Sequence, residues 1–316
     1  MWLIPAFLYP GPLYVLSALA LGLALDGIYP YHKGVLLKVH PVHTSFMIAQ
    51  RLFRPRASRL KGAAIWAAVM FSHLSVYGIA LYLAWSLSPI AWILVAAYIV
   101  KISLSLRLLI DIVDNVRRSL GAGDLAEAKR WAQNIVRRDL APEDPGHVAS
   151  AAIESLAEGL VDGFISPLFW LSLLGPLGAL AQRTVNTLDG ALGFKDPDHL
   201  KAGFVSAWAD TVVNFLPARL AAILIALLAP LGGGKIRGSL RSWLACRGLT
   251  ESRNAGNPMS AIAGALNVVL EKRGSYTLCQ ANYVLPGPDE IKRAIRVSIA
   301  VGALSVSMSA LIIAYI

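Results

Sequence analysis

Residues 90–110 read IAWILVAAYIVKISLSLRLLI, an apolar run long enough to cross the hydrocarbon core of a membrane as one helix. Outward from it, residues 13–25, 62–85 and 299–316 are also apolar and predict further spans. Hydrophobic residues make up 56% of the 316-residue chain and charged residues 15%, and the mean hydropathy is +0.58. This composition excludes an ordinary soluble domain. It predicts an all-α, polytopic helical bundle in a membrane with about four to six spans.

Two central apolar segments, residues 164–181 and 207–231, contain residues that interrupt helices or carry polarity. These residues are Pro167, Gly175, Pro176 and Gly178 in the first segment, and Asp210, Asn214, Pro217 and Arg219 in the second. Irregular backbone and polar side chains at membrane depth are tolerated where they are buried in protein or line a cavity. We therefore predict that both central helices are broken or re-entrant and that they flank a binding site.

The basic residues lie mainly between apolar segments, where they indicate which loops face the cytosol. Residues 33–61 carry Lys and Arg but no acid, whereas the turn at 86–89 carries no charge. We read the net charge of +10 as this signal and expect membrane lipid, not nucleic acid, around the protein. The pattern predicts a multi-pass protein of the cytoplasmic membrane. The loop at 183–201 faces outside if both central segments span the membrane and inside if they are re-entrant. We expect one membrane-embedded domain over 1–316, with residues 111–162 and 232–293 on the cytosolic side.

Local signals predict helices within these cytosolic segments. Asp124 resembles an N-cap, and Pro145 suits the first turn of a helix that carries the acids described next. A short apolar helix is expected from Met259 to Leu270.

Three acids, Glu154, Glu158 and Asp162, follow each other at i, i+4 and i+8. On a regular helix this spacing places them along one face, where like charges repel. A run of acids that leads into an apolar segment therefore suggests a metal ion, a cation or a substrate amine as partner. The alternative is a solvated helix face just outside the membrane, and the spacing alone does not decide between the two.

Further polar residues could complete such a site. They are His40 in the HPVH stretch, Asn186 and Asp189 with Lys195, then Asp210, Asn214 and Arg219, and finally Asn254 in the turn at 253–258. Carboxylate and amide oxygens suit a hard cation, while Lys, Arg and His can neutralise phosphate or carboxylate groups. Each set also has a structural explanation: an interfacial turn, a helix cap, a structural Asp–Arg pair or a loop.

Several blocks of sequence match one known pattern in order. Residues 152–169 read AIESLAEGLVDGFISPLF, and they are followed by VNTLD at 185–189, DTVVNFLPAR at 210–219 and NAGNP at 254–258. Together with HPV at 40–42 and residues 123–139, they resemble the adenosylcobinamide-phosphate synthase family of cobalamin biosynthesis, the CobD/CbiB membrane proteins. The resemblance covers nearly the whole chain. Departures from the family's usual residues are Leu140 for Thr, Gly159 for Asn, Ala209 for Asp, and Met259-Ser260 for Glu-Ala.

The resemblance implies a ligase that depends on ATP and Mg2+. Because ATP and the corrinoid are cytosolic, it also implies an active site that faces the cytosol. The ligase would join adenosylcobyric acid to (R)-1-aminopropan-2-ol phosphate, or to aminopropanol, and we expect an acyl phosphate intermediate. The expected catalytic residues are Glu154, Glu158, Asp162, Asp189 and Asp210, of which the first three would hold Mg2+ or the ammonium group. The expected substrate- and phosphate-binding residues are His40, Asn186, Lys195, Asn214, Arg219 and Asn254.

Alternatives stay open at this point. Broken helices with intramembrane Asp, Asn and Arg also suit a transporter or permease. The departures from the family pattern also leave room for a non-catalytic membrane scaffold. The partners considered besides substrates are a second copy of the chain and other corrinoid-pathway enzymes.

Overall fold

The computed structural model describes residues 5–278 and 284–316. Its helices are α1 (Pro12–Ile28), α2 (Gly34–Lys38), α3 (Pro41–Leu52), α4 (Arg59–Leu87), α5 (Pro89–Ser103), α6 (Leu106–Gly121), α7 (Leu125–Ala132), α8 (Pro145–Leu160), α9 (Ser166–Leu192), α10 (Phe204–Val213), α11 (Phe215–Leu227), α12 (Ile236–Cys246), α13 (Gly256–Leu266) and α14 (Pro288–Tyr315). A π-helical turn, Val161–Ile165, joins α8 to α9, and a 3-10 turn, Ala229–Gly232, follows α11. The short strands β1 (Leu270–Lys272) and β2 (Tyr276–Leu278) form an antiparallel hairpin that the sequence did not predict.

The long apolar helices confirm a polytopic helical membrane protein. By length and composition, four of them in the described part of the chain can cross a membrane: Arg59–Leu87, Pro89–Gly121, Pro145–Leu192 and Pro288–Tyr315. The pair α10 and α11 passes the same test together as a broken span, and α1 is a shorter apolar helix. The expected bundle of helices is therefore present. Arg59–Leu87 begins and ends close to the predicted segment 62–85, whereas the other three helices extend well beyond the predicted segments.

Both central segments are interrupted, as predicted. In α9 the break is at Gly175, whose φ of 72° is left-handed, immediately before Pro176. Pro167 lies in the first turn of α9, directly after the π turn, and the carbonyl oxygen of Gly163, four residues earlier, accepts a hydrogen bond from Ser105 N. The second segment breaks at Asn214, between α10 and α11, and Pro217 is in the first turn of α11.

The chain separates into two compact units. Unit 1 contains the described residues up to Ser105, Asp162–Asn214 and Val306–Ile316. In it, α9 packs against α3, α4, α5 and α10. One buried apolar cluster fixes these helices, and its members are Ala49, Val69, Met70, Val185, Leu188, Ala191, Leu192 and Ala209. The face of α9 that carries Val185 and Leu188 is thereby anchored, which holds the neighbouring Asn186 in place.

Unit 2 contains Leu106–Val161 and Phe215–Ser305. Within it α8 packs against α6, α7, α13 and β1, and α13 also packs against α11 and α12. The close approach of α13 to α12 needs a small residue, because a Cβ on Gly264 would lie 2.6 Å from Cβ of Ser242. Ser239 on α12 donates to the carbonyl oxygen of Ala261 at 2.7 Å, which satisfies a buried hydroxyl in this contact.

The local helix signals have a mixed outcome. Asp124 caps α7 by accepting a hydrogen bond from Glu127 N, and Asp144 caps α8 by accepting from His147 N. Pro145 is the first residue of α8, as expected. The predicted helix over Met259–Leu270 is shifted: α13 begins at Gly256 and ends at Leu266, since Asn267 adopts a left-handed backbone. Leu270 instead begins β1.

Candidate functional site

The helix that carries the three acids changes character in the middle of the run. The α-helical hydrogen bonding of α8 ends at Leu160, and Asp162 lies in the π-helical turn that follows. A π turn inserts a residue into the helical repeat, so it breaks the i, i+4 alignment on which the single-face expectation rested. Glu154 is buried, Glu158 is exposed and Asp162 is partly buried. The three acids therefore do not share one regular helix: Glu154 and Glu158 keep the i, i+4 spacing within α8, and Asp162 lies in the π turn.

In unit 1, four polar side chains meet Asp162 in what we call the amide–carboxylate cluster. Asn186 Nδ2 donates to Asp162 Oδ2 at 3.0 Å and to Asp210 Oδ1 at 3.3 Å. Asn214 Nδ2 donates to the same Asp210 oxygen at 2.8 Å. Gln182 Nε2 donates to Asn214 Oδ1 at 3.1 Å and to the carbonyl oxygen of Asp162 at 3.2 Å. Four of the residues predicted from sequence are thus brought together, and Gln182 joins them.

The elements of unit 1 explain why these groups meet. The π turn places Asp162, and Ser105 N donates to the carbonyl oxygen of Gly163 within that turn. A side chain at Gly163 would collide with Ser105, because its Cβ would lie 2.2 Å from the Ser105 hydroxyl oxygen. Asp210 is near the end of α10, and Asn214, which follows, is fully buried at the helix break. The interrupted backbone therefore positions the polar groups, as broken helices do at many membrane binding sites.

The cluster has the composition of a hard-cation site. Two carboxylates share Asn186, and the Oε1 atom of Gln182 is buried without a hydrogen-bond partner among the described residues. An unsatisfied buried oxygen in the same cluster as two carboxylates fits a cation, since Mg2+ prefers oxygen ligands. No group of three or more His, Cys, Asp or Glu side chains in the described residues is arranged to hold a metal ion by itself. The Mg2+ role of Glu154, Glu158 and Asp162 stays a prediction.

A second group of polar residues in unit 1 is basic. Arg183 on α9 interacts electrostatically with Asp162 and with Asp26 of α1. Lys101 Nζ lies 3.0 Å from Nδ1 of His32, and the His32 ring centroid lies 4.5 Å from that of His40. The two cationic side chains of this group, Arg183 and Lys101, are suited to anionic substrates.

Two predicted site residues of unit 1 lie at the end of α9. The Oδ1 atom of Asp189 faces Gly193, where an added Cβ would lie 1.9 Å away, so Asp189 contributes to the close packing of the helix terminus. Gly193 N also donates to the Asp189 carbonyl oxygen at 2.7 Å. Lys195 is exposed in the loop that follows. Their predicted roles in nucleotide and phosphate binding stay predictions.

In unit 2, Glu154 is the centre of a buried polar set. It is 3% exposed and accepts hydrogen bonds from Ser150 Oγ and from the hydroxyl of Tyr276, both at 2.7 Å. Arg138 Nη1 lies 3.5 Å from Glu154 Oε2. Burial of Tyr276 and the negative charge of Glu154 raise the pKa of the Tyr276 hydroxyl, which therefore stays protonated and donates. Glu158 also acts on Tyr276 electrostatically.

A charged network holds the hairpin against the start of α8. His147 is buried, and its two ring nitrogens lie 2.8 Å from Asp144 Oδ2 and 3.0 Å from Glu271 Oε2. Arg273 Nη2 donates to Asp144 Oδ2 at 2.5 Å. Glu271 N donates to Ser150 Oγ at 2.8 Å, which ties β1 to α8. These bonds place Tyr276 of the same hairpin next to Glu154.

The remaining predicted pair, Arg219 and Asn254, is also in unit 2. Arg219 Nη1 donates to the carbonyl oxygen of Phe215 at 2.6 Å and to Asn254 Oδ1 at 3.3 Å. The guanidinium carbon lies 3.5 Å from the centroid of the Phe215 ring, which is a cation–π contact. The structure thus brings these two residues together, while their role in phosphate binding stays a prediction.

Sequence reasoning missed several residues of these sites. Arg138 lies within residues 123–139, which match the family pattern, but it was not predicted as a site residue. Gln182 was not predicted either, although a polar amide in an apolar segment is itself a signal. The same signal marked Arg183 and Lys101. Tyr276 had no local signal, because only the hairpin brings it to Glu154.

Comparison with known proteins places the chain in a family. A family model described as CobD/Cbib protein matches residues 19–298. A relative from Aeropyrum pernix, named probable cobalamin biosynthesis protein CobD, is 49% identical over 99% of this chain and 97% of its own length. One of the same name from Thermoplasma acidophilum is 35% identical over 82% of this chain and 85% of its own. A cobalamin biosynthesis protein CobD from Pelobacter propionicus is 36% identical over 69% and 68%. No solved structure matches. With its motifs and their order, the chain belongs to the CobD/CbiB family.

Proposed function

We propose that this protein acts in cobalamin biosynthesis as an ATP-dependent ligase. It would join the free carboxylate of adenosylcobyric acid to the amine of (R)-1-aminopropan-2-ol phosphate and form adenosylcobinamide phosphate. Membership of the family and the names of the relatives support the pathway. The observation that carries the enzymatic proposal is the joint hydrogen bonding of Asp162 and Asp210 to Asn186, in a cluster where Gln182 Oε1 has no hydrogen-bond partner among the described residues.

The proposed chemistry has two steps. An oxygen of the corrinoid carboxylate attacks the γ-phosphorus of ATP, which forms an acyl phosphate and releases ADP. The amine nitrogen then attacks the acyl carbon, the C–O bond to phosphate breaks, and inorganic phosphate and one proton leave as the amide forms. Both steps need stabilisation of negative charge on phosphoryl oxygens and a fixed orientation of the reactants.

The residues of unit 1 suit these requirements. Asp162, Asp210 and the Oε1 atom of Gln182 would hold Mg2+, which, when bound, neutralises charge on the nucleotide phosphates. Asn186 keeps the two carboxylates at a common position through its amide hydrogens. The ammonium form of the amine is an alternative occupant of the same carboxylates, and one of them could accept its proton before attack.

An assay on the purified full chain in detergent tests the proposal. Adenosylcobyric acid, aminopropanol phosphate, ATP and Mg2+ are combined, the corrinoid product is identified by mass, and ADP is measured in parallel. We expect stoichiometric amide and ADP from the natural chain. Asp162→Asn and Asp210→Asn should each lower turnover about 100-fold or more, because even indirect supports of a metal site cost 10- to 100-fold.

Asp198→Asn is the matched control, since it removes the same charge from an exposed ion pair with Arg56 outside the cluster. Exposed pairs of this kind contribute little. Full activity of Asp162→Asn would contradict the assignment of the site. Absence of product from the natural chain, with corrinoid uptake into proteoliposomes, would overturn the ligase and favour a transporter.

A further inference from the structure

Arg138 in unit 2 has donors that no described residue uses. Its Nε and Nη2 atoms are buried and have no hydrogen-bond partner in the described part of the chain. Only the third nitrogen, Nη1, lies near an acid, 3.5 Å from Glu154 Oε2. Buried polar groups are almost always hydrogen-bonded, and a charged group left without partners is the most costly exception. Two such donors on one guanidinium therefore point to a partner that the described residues do not supply.

Glu154 does not explain these donors. Its oxygens already accept hydrogen bonds from Ser150 and Tyr276, at 2.7 Å each. The single contact of 3.5 Å to Arg138 is longer than a direct hydrogen bond and leaves the pair without the two-point geometry of a strong Arg–carboxylate bridge. Glu154 thus fixes the position of the guanidinium from one side while the other side stays available.

The two available nitrogens form one edge of the planar guanidinium. Nε and Nη2 carry parallel N–H groups, and this edge matches two oxygens of a carboxylate or a phosphate. We propose that Arg138 binds an oxyanion of a substrate through Nε and Nη2, with Glu154 as its positioning residue. The proposal rests on the proposed function only for the source of the oxyanion. This source is either the phosphate of aminopropanol phosphate or the carboxylate of the corrinoid acid.

Equilibrium binding to the purified full chain in detergent tests this inference without any turnover. The probes are aminopropanol phosphate, aminopropanol, adenosylcobyric acid and inorganic phosphate, measured by calorimetry at constant ionic strength. Arg138→Lys keeps the charge near Glu154 but loses the two-point edge. Arg137→Lys is the matched control, because it makes the same exchange at the exposed neighbouring position.

We expect Arg138→Lys to weaken binding of one oxyanion probe about 10- to 100-fold, the range for losing a hydrogen bond to a charged group, and Arg137→Lys to leave it unchanged. Loss confined to the phosphorylated amine and inorganic phosphate identifies a phosphate site. Loss confined to adenosylcobyric acid identifies a carboxylate site. Unchanged binding of all probes by Arg138→Lys would overturn the proposal, as would a natural chain that binds none of them.

A second variant covers the case in which Arg138→Lys does not purify as a monodisperse protein. Arg138→Gln then takes its place, since Glu154 retains both hydroxyl donors there, and the same 10- to 100-fold loss is expected. Binding through Arg138 in a protein that makes no amide would retain this inference and overturn the ligase. Amide formation by the natural chain, together with probe binding that the Arg138 variants leave unchanged, would overturn this inference and retain the ligase.

Discussion

His40 caps a helix, and this role requires its neutral form. Its Nδ1 atom accepts a hydrogen bond from Val42 N at the start of α3, at 3.2 Å. Burial lowers the pKa of the His40 imidazole to about 3, and the positive charges of His32, Arg183, Lys101 and His43 act in the same direction. The imidazole therefore stays neutral at physiological pH and keeps the lone pair that the cap needs.

A dependence of stability on pH follows from this shift. In the unfolded chain His40 titrates near its ordinary value of about 6.5, so between about pH 6.5 and pH 3 the unfolded state binds the additional proton. The contribution of His40 is thus complete above about pH 6.5 and is lost as the pH falls towards 3. We expect the thermal unfolding midpoint in detergent to fall between pH 7.5 and pH 5.

His40→Asn provides the comparison, because asparagine caps a helix without titrating in this range. Its unfolding midpoint should fall less than that of the natural chain over the same two pH values. Equal losses in both proteins would show that His40 does not titrate as its surroundings imply.

At the scale of elements, breaks in helices carry the polar sites. The π turn places Asp162, the interruption after α10 places Asn214, and the kink at Gly175 divides α9. The sequence indicated irregular central helices through Pro and Gly, but it could not assign the break to one residue. Proline is compatible with a first helical turn, so its effect depends on where the helix begins, and packing decides that.

The kink in α9 should depend on Gly175. Its left-handed backbone and the carbonyl oxygen of Leu8, which would lie 2.6 Å from an added Cβ, both exclude a side chain. We expect Gly175→Ala to lower the stability of the detergent-solubilised protein by at least about 1–2 kcal/mol, the cost of a left-handed residue with a side chain.

Gly27→Ala in α1 is the matched control, because nothing lies within 4 Å of an added Cβ there. Because Gly27 is an exposed helical position, Gly27→Ala should leave the stability of the protein unchanged or raise it by about 0.4–1 kcal/mol. Thermal unfolding of the natural chain, Gly175→Ala and Gly27→Ala under one condition measures these effects on stability. An unchanged midpoint for Gly175→Ala would contradict the structure of the kink.

Three of the departures from the family's usual residues are explained by packing within elements. Leu140 is fully buried, and Ala209 belongs to the apolar cluster of unit 1. A Cβ at Gly159 would lie 2.6 Å from Cδ2 of Leu109, so the small residue accommodates that leucine. An apolar or small residue at these positions is consistent with local repacking.

At the scale of the whole molecule, the distribution of charge predicts the orientation in the membrane. Residues 33–61 are basic without an acid and the turn at 86–89 is uncharged, which predicts the first loop inside and the turn outside. Because ATP and the corrinoid are cytosolic in the proposed function, the loop after α9 should also face inside.

Cysteine labelling tests this orientation. Single cysteines replace Asp196, Lys33 and Ser86 in a chain whose Cys246 and Cys279 are changed to Ala, and a membrane-impermeant maleimide is applied to right-side-out and inverted vesicles. We expect positions 196 and 33 to react in inverted vesicles and position 86 in right-side-out ones. Labelling of position 196 only from outside would contradict a cytosolic position of this loop.

The sequence by itself determined the features that arise from local pattern: the long apolar helices, the irregular central segments, the cap at Asp124, the helix start at Pro145, and the polar residues that need partners. Asp162, Asn186, Asp210 and Asn214 were chosen this way, since polar groups in apolar segments need partners.

Only the tertiary structure decided which of these residues become partners. It joined Glu154 to Tyr276, 122 residues away in the chain, through a hairpin with no clear sequence signal. It also inserted the π turn at Asp162 and left two donors of Arg138 available. The physical reason is that helical periodicity acts over a few residues, whereas contacts between distant segments depend on how whole elements pack.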